Sequence, residues 1–282
     1  MLLVTGANGQ LGQCFRHLAA SYPDFSFHFA GQAELDISQP KAVRAFFQQN
    51  KVNWVINCAA YTAVDKAESE KEKAFQINGE AVGVLAKACK KYNSKMVHVS
   101  TDFIFDGMLA RPLMEDDQPN PVSVYGASKL EGEKQLLENN SDSVLIRTSW
   151  VYSSFGNNFV KTILRLCRER ESLNVIYDQV GTPTYARDLA AFILRIVTGD
   201  KWVGGIYNFS NEGVCSWYDF AIAIRDIAGL KTKINPIETY QYPTPAVRPK
   251  YSVLNKRKAK ETYGIEIAYW RNSLEECMKL LG

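Results

Sequence analysis

Tyr125-Gly126-Ala127-Ser128-Lys129 places a phenol and an ammonium four residues apart. On a helix that spacing puts both groups on one face. A free phenol has a pKa of about 10, too high for ready proton exchange near neutrality. A fixed positive charge beside it favours phenolate and tunes the pair for acid–base work. Lys129 can also hold the ribose hydroxyls of a nicotinamide nucleotide. Upstream, Gly6-Ala7-Asn8-Gly9-Gln10-Leu11-Gly12 is a Gly-x-x-Gly-x-x-Gly run directly after the apolar stretch Leu2-Leu3-Val4. Such a loop brings backbone amides and a helix N-terminus to a pyrophosphate. A third group, Ser100-Thr101-Asp102, follows another apolar run. A hydroxyl there can donate to a substrate carbonyl while Tyr125 gives its proton.

The residue that reads the adenosine ribose is expected near the end of the second strand. Ala30-Gly31-Gln32-Ala33-Glu34 has neither an acid right at that end nor an arginine. The choice between NADH and NADPH therefore stays open, and dual use fits. Asp36 and Ile37 could contact the adenine.

These groups need strands to hold them. Apolar runs predict strands over residues 1–5, 25–30, 52–58, 95–100 and 143–147. Helical spacing predicts helices over 9–20, 39–50, 67–92 and 122–139, the second with Ser38 as N-cap and Pro40 in its first turn. This βαβα order demands a parallel sheet with helices on both faces, a doubly wound α/β fold of Rossmann type. Ligands then bind beyond the carboxyl ends of the strands, and the candidate residues follow strands. The second half is less regular. Helices are expected over 155–169, 186–197, 216–228 and 267–281, short strands over 173–177 and 206–209, and a loop over 235–251. The division expected is a dinucleotide-binding domain at 1–150, completed by the helix at 186–198, and a smaller α/β substrate lobe at 151–282.

Composition narrows the classes. The chain has 282 residues, 46% hydrophobic and 22% charged, which excludes a disordered or low-complexity protein. A net charge of +3 without a basic run gives no reason to expect nucleic acid. No apolar run spans a bilayer and the N-terminus reads as a strand, so a cytoplasmic protein without a membrane partner is expected. The six cysteines show no CxxC pair and the three histidines are scattered, so no metal site is expected and the thiols read as reduced and mostly buried.

Together the glycine loop, Thr101 and the Tyr125–Lys129 pair resemble the extended short-chain dehydrogenase/reductase superfamily. Within it the chain resembles the dTDP-4-dehydrorhamnose reductase family over nearly its whole length. The matching stretches include Asn57–Glu68, Val99–Gly107, Leu145–Tyr152, Gly156–Val160, Asp178-Gln179-Val180-Gly181-Thr182-Pro183-Thr184 and Arg248-Pro249. The resemblance implies an NADH- or NADPH-dependent oxidoreductase acting on the C4 ketone of a dTDP-sugar. Tyr125 would be the proton donor, Lys129 its partner, and Thr101 would polarise the ketone with Asp102 nearby. Ala59, Ala60, Tyr61 and Thr62 would pass along the cofactor, Val64 and Trp150 would line the sugar pocket, and Arg248 would lie near the diphosphate. Asn158 and Trp217 divide evenly between core and pocket. Some family members bind structural magnesium and dimerise. Here Glu115-Asp116-Asp117 reads as a solvated loop, and the chain is expected to be a monomer or homodimer. Related dehydratases carry Asp-Glu after the threonine. Here the pair is Asp102-Phe103, which favours reduction over elimination. The alternatives are another sugar-nucleotide reductase or epimerase, and a non-catalytic regulatory subunit like that of methionine adenosyltransferase.

Overall fold

The computed structural model describes residues 1–281. In the first half, β1 (Leu2–Thr5), α1 (Gln10–Leu18), β2 (Phe27–Ala30), α2 (Pro40–Gln49) and β3 (Trp54–Asn57) alternate as the patterning predicts. Then come α3 (Val64–Ala67), α4 (Lys71–Phe75), α5 (Ala81–Lys91), β4 (Lys95–Thr101), α6 (Val124–Asn139) and β5 (Val144–Thr148). The second half holds β6 (Val151–Tyr152), α7 (Phe159–Glu169), β7 (Ser172–Ile176), β8 (Val180–Gly181), β9 (Thr184–Tyr185) and α8 (Ala186–Thr198). It ends with β10 (Gly205–Asn208), β11 (Cys215–Ser216), α9 (Trp217–Ile227), β12 (Lys233–Ile237), α10 (Arg257–Tyr263) and α11 (Trp270–Lys279).

The central sheet has six strands in the order β10-β5-β4-β3-β1-β2, all parallel. Both faces are buried because residues alternate along each strand. Leu2 and Val4 join the cluster covered by α1 and α8, while Leu3 joins the cluster covered by α2 and α5. A separate cluster from α7, α9, α11 and β7 forms the core of the smaller lobe. Residues 205–208, beyond the expected boundary at 150, are hydrogen-bonded into the sheet beside β5.

Several elements differ from expectation. The helix expected over 67–92 is broken over residues 68–70 and carries a π-helical turn at Gln76–Glu80. Ser38 does not cap α2, because its hydroxyl donates to Asp36 Oδ1 (2.7 Å) and Gln39 takes the cap position. The helix expected from 155 starts at Phe159, where the Asn158 side chain accepts from Lys161 N (3.1 Å). The loop expected over 235–251 begins with the end of β12, paired to β7. The run expected as a solvated loop is only partly so: Asp116 is exposed, but Glu115 and Asp117 are half-buried, Glu115 Oε1 accepting from Asn208 N and Asp117 pairing with Arg111. The cysteines are free, five buried and Cys58 half-buried. Among the described residues, no helix is long and apolar enough to cross a membrane.

Candidate active site

A cavity of about 970 Å³ opens at the carboxyl ends of β1, β3, β4 and β5. The first glycine loop forms one wall. Gly6 has φ +64°, and a Cβ there would stand 2.6 Å from Ala59 N, so neither the turn nor its packing on the β3 loop tolerates a side chain. Gly9 and Gly12 line the same wall with Gln10 and Leu11. Gln10 ties this wall to the second half, accepting from Ser153 Oγ (3.0 Å) and Asn158 Nδ2 (2.9 Å). Asn158, left between core and pocket by the sequence, is thus both a helix cap and a cavity-lining residue.

Polar side chains bridge the strand ends beneath the cavity. Thr5 Oγ1 donates to Asn57 Oδ1 (2.6 Å), which also accepts from Ala59 N (3.2 Å). Asn57 Nδ2 therefore points at His98 Nδ1 (3.0 Å), assigning that ring nitrogen as the acceptor. Burial, aided by the Lys129 charge, holds His98 neutral, far below its ordinary range.

Tyr125 and Lys129 lie on α6, whose N-terminus is fixed twice. The Ser123 side chain accepts from Gly126 N (3.1 Å), and Val124 N donates to Glu68 Oε1 (2.8 Å). Both residues face the cavity. Lys129 is buried, and its Nζ donates to Val99 O (2.7 Å). Burial brings its ammonium down to about 8, with Glu133 pulling the other way. Tyr125 keeps part of its surface open to the cavity, yet the surrounding protein pushes the phenol up to about 12, against the pull of the Thr101 hydroxyl. Desolvation therefore outweighs the expected lowering by Lys129. Thr101 Oγ1 donates to Asp102 Oδ1 (3.0 Å) and accepts from Phe103 N (3.2 Å). Burial raises the Asp102 carboxyl to about 6, although Ser252 and Thr101 draw it down.

At the other wall Trp150 adopts φ +46°, a left-handed conformation uncommon for a bulky residue. Its ring stacks on Trp217 with centroids 3.5 Å apart, and both indoles line the cavity. Asp36, Ile37, Ala59, Ala60, Thr62, Val64 and Arg248 line it as well. Tyr61 does not. Its backbone is clamped by Asn78, its hydroxyl donates to Glu70 Oε2 (3.1 Å), and its ring packs with Ala67 and Ala74. The sequence reading missed Asn78, whose amide also donates to Ser128 Oγ (3.0 Å) and so locks the 59–62 loop to α6. It also missed Phe103, whose ring meets that of Tyr125 edge-on at 5.5 Å. Among the described residues, no three His, Cys, Asp or Glu side chains gather in a way that could hold a metal ion.

The model of the family described as RmlD substrate binding domain matches residues 1–282. The chain belongs to that family. A dTDP-4-dehydrorhamnose reductase from Aggregatibacter actinomycetemcomitans is 41% identical over 284 residues, covering 97% of both chains. The crystal structure of a dTDP-4-dehydrorhamnose reductase from Clostridium acetobutylicum superposes with a TM-score of 0.95 at 41% identity, covering 99% of each chain. The enzyme of that name from Bacillus anthracis, solved in complex with NADP, gives a TM-score of 0.95 at 35% identity, covering 99% of this chain and 98% of that one. The RmlD family thus shares the fold described above.

Proposed function

We propose that this RmlD-family chain reduces the C4 ketone of dTDP-4-dehydro-L-rhamnose to dTDP-L-rhamnose, with Tyr125 as proton donor and Lys129 and Thr101 as its partners. One observation carries the reading. A tyrosine phenol, a buried lysine and a threonine hydroxyl face one cavity whose opposite wall is a glycine loop of the kind that takes a dinucleotide. The full-length relatives named for this reaction support the substrate.

The glycine wall, Asp36, Ile37, Ala59, Ala60 and Thr62 would hold the dinucleotide, and the open face of Gly9 leaves room for its pyrophosphate. A bound reduced nicotinamide supplies the hydride. The residues of the chain do the rest. Trp150 and Val64 orient the sugar, while Thr101 turns its hydroxyl from Asp102 to the ketone oxygen. A phenol held near 12 stays protonated at neutral pH, which suits a donor better than a base. As negative charge grows on the ketone oxygen, that oxygen becomes a stronger base than phenolate, and the Tyr125 proton moves to it. Lys129 then stabilises the phenolate left behind. Phe103, beside Asp102, offers no acid or base for elimination. Arg248 serves the diphosphate end, and the dTDP-sugar is the partner the cavity takes.

The test is loss of NADH or NADPH absorbance with dTDP-4-dehydro-L-rhamnose, comparing wild type with Tyr125→Phe. Turnover that collapses in the variant while dinucleotide binding persists is the expected result. A folded wild type that binds a dinucleotide but reduces no such sugar would overturn the assignment.

A further inference from the structure

We propose that Gly181 is a positioning residue for the sugar pocket: the bare backbone of β8 seats the Trp150 indole and so fixes how that ring meets the sugar. This rests on reading Trp150 as the wall that orients a dTDP-sugar. It gives a role to the stretch Asp178–Thr184, which does not itself line the cavity.

Gly181 is buried in an ordinary strand, and its φ lies outside the left-handed region, so the backbone does not require glycine there. β8 is flanked on both sides. It pairs with β11, where Cys215 lies opposite Gly181. On its other side Val180 N donates to Lys250 O and Ser252 N donates to Val180 O, both at 2.8 Å. Glycine weakens such a position and marks a close approach by another group. The group that approaches is Trp150. A Cβ at 181 would stand 2.8 Å from Trp150 Cε2 and 2.9 Å from Cζ2, closer than the 3.0 Å limit of ordinary Cβ contacts. Ser252 Oγ, 2.9 Å from the same point, closes in beside the ring.

The indole has little freedom to yield. Trp217 stacks on it with the ring planes 8° apart. The backbone around Trp150 is held by the same stretch, because Thr184 N donates to Trp150 O (3.2 Å) and Ser149 Oγ to Thr182 O (2.7 Å). Trp217 is tied to β8 as well, since it follows Ser216, which lies opposite Val180 in β11. One short segment thus holds the backbone of one indole and the partner of its stack. Its missing side chain leaves the space that the ring fills. A methyl at 181 has to tilt Trp150, whereas the glycine loop and Tyr125 sit on other elements.

The experiment is calorimetric titration of the full chain with dTDP-L-rhamnose and with NADPH, alongside kcat/KM. Wild type, Gly181→Ala, Trp150→Phe and the double variant are compared. Gly181→Ala is expected to weaken sugar-nucleotide binding roughly tenfold or more and to change the NADPH Kd less than twofold. Trp150→Phe has a smaller ring that leaves room for a methyl. In that background Gly181→Ala is expected to cost less than a further twofold. A glycine needed only for packing elsewhere would carry the same penalty in both backgrounds. Equal penalties, wild-type sugar-nucleotide binding by Gly181→Ala, or a matching loss of NADPH affinity would overturn the proposal. If Gly181→Ala does not fold, a folded double variant supports the proposal and an unfolded one overturns it. Because binding is read directly, a wild type that binds the sugar nucleotide yet reduces no keto-sugar overturns only the reductase reading, and the variants still decide the role of Gly181. A folded wild type that binds no dTDP-sugar overturns both.

Discussion

Arg248 grips Asp65 with both terminal nitrogens, Nη1 lying 3.1 Å from Oδ1 and Nη2 2.8 Å from Oδ2. The pair joins α3 to the 244–248 segment, because Ala246 N also donates to Asp65 Oδ1 (3.2 Å). Arg248, expected near a diphosphate, is therefore held by an acid of the chain itself.

Removing this pair is expected to act on substrate binding more than on stability. The pair is partly exposed, so its loss should cost no more than about 1 kcal/mol. Arg248→Ala is expected to raise KM for the sugar nucleotide roughly tenfold with little change in kcat, about 1.4 kcal/mol of binding. Arg248 holds the Asp65 carboxyl below its ordinary value of 3.8. The stability from this shift is present above 3.8 and lost as pH falls through the lower folded value. Between pH 5 and 8 the small difference in denaturation midpoint between wild type and Asp65→Asn should therefore be constant, and it should shrink as pH falls below 3.8.

Lys129 sets the alkaline limb. Its ammonium is lost as pH rises through about 8, so kcat should fall there, and Lys129→Met should abolish that limb with most of the activity. The stability effect has the opposite sign. Between about 8 and the ordinary 10.5 the unfolded chain holds more protons than the folded one, so wild-type stability should rise with pH across that window. A pH-rate profile and denaturant melts at matched pH check both.

Glu133 and Arg147 form a fully buried pair, Arg147 Nη2 2.8 Å from Glu133 Oε2. Arg147 Nη1 also donates to Glu115 O (2.9 Å). Removing one partner strands a buried charge and should cost about 3–5 kcal/mol. Arg147→Met is expected to lower the urea midpoint sharply. A shift equal to that of a surface substitution would show that the pair is not the anchor of α6 on β5.

Trp217 backs Trp150. Trp217→Leu removes a stack of about 0.5–1.5 kcal/mol and frees an indole held at positive φ. KM for the sugar nucleotide is expected to rise severalfold while the dinucleotide Kd stays put. A matching loss in dinucleotide affinity would show that the stack serves the whole cavity.

Much of this was legible because strand ends announce themselves. Apolar runs closed by Gly6, Ala59, Thr101 and Thr148 gave the sheet, and the sheet gave the place of the cavity. What stayed hidden depends on side chains meeting across long separations. The π-helical turn exists where Asn78 reaches Tyr61 and Ser128, and no periodicity encodes that. Tyr61 was misplaced because its neighbours on both sides do line the cavity. α10 escaped as a short polar segment, although Gly264 at φ +59° marks its end. The stretch Asp178–Thr184, one of those that carry the family resemblance, lines none of the cavity. It works from behind, where Thr182 O accepts from Ser149 Oγ (2.7 Å) and Asp178 Oδ1 accepts from Thr239.

The position of β10 bears on how the chain is made. A ribosome releases β5 long before the strand that will cover its outer edge. Until Gly205–Asn208 emerges, that edge carries unpaired amides and carbonyls, open to any other extended chain nearby. Nascent chains halted near residue 150 should therefore depend on chaperones and clump when these are scarce, whereas those that pass residue 208 should not.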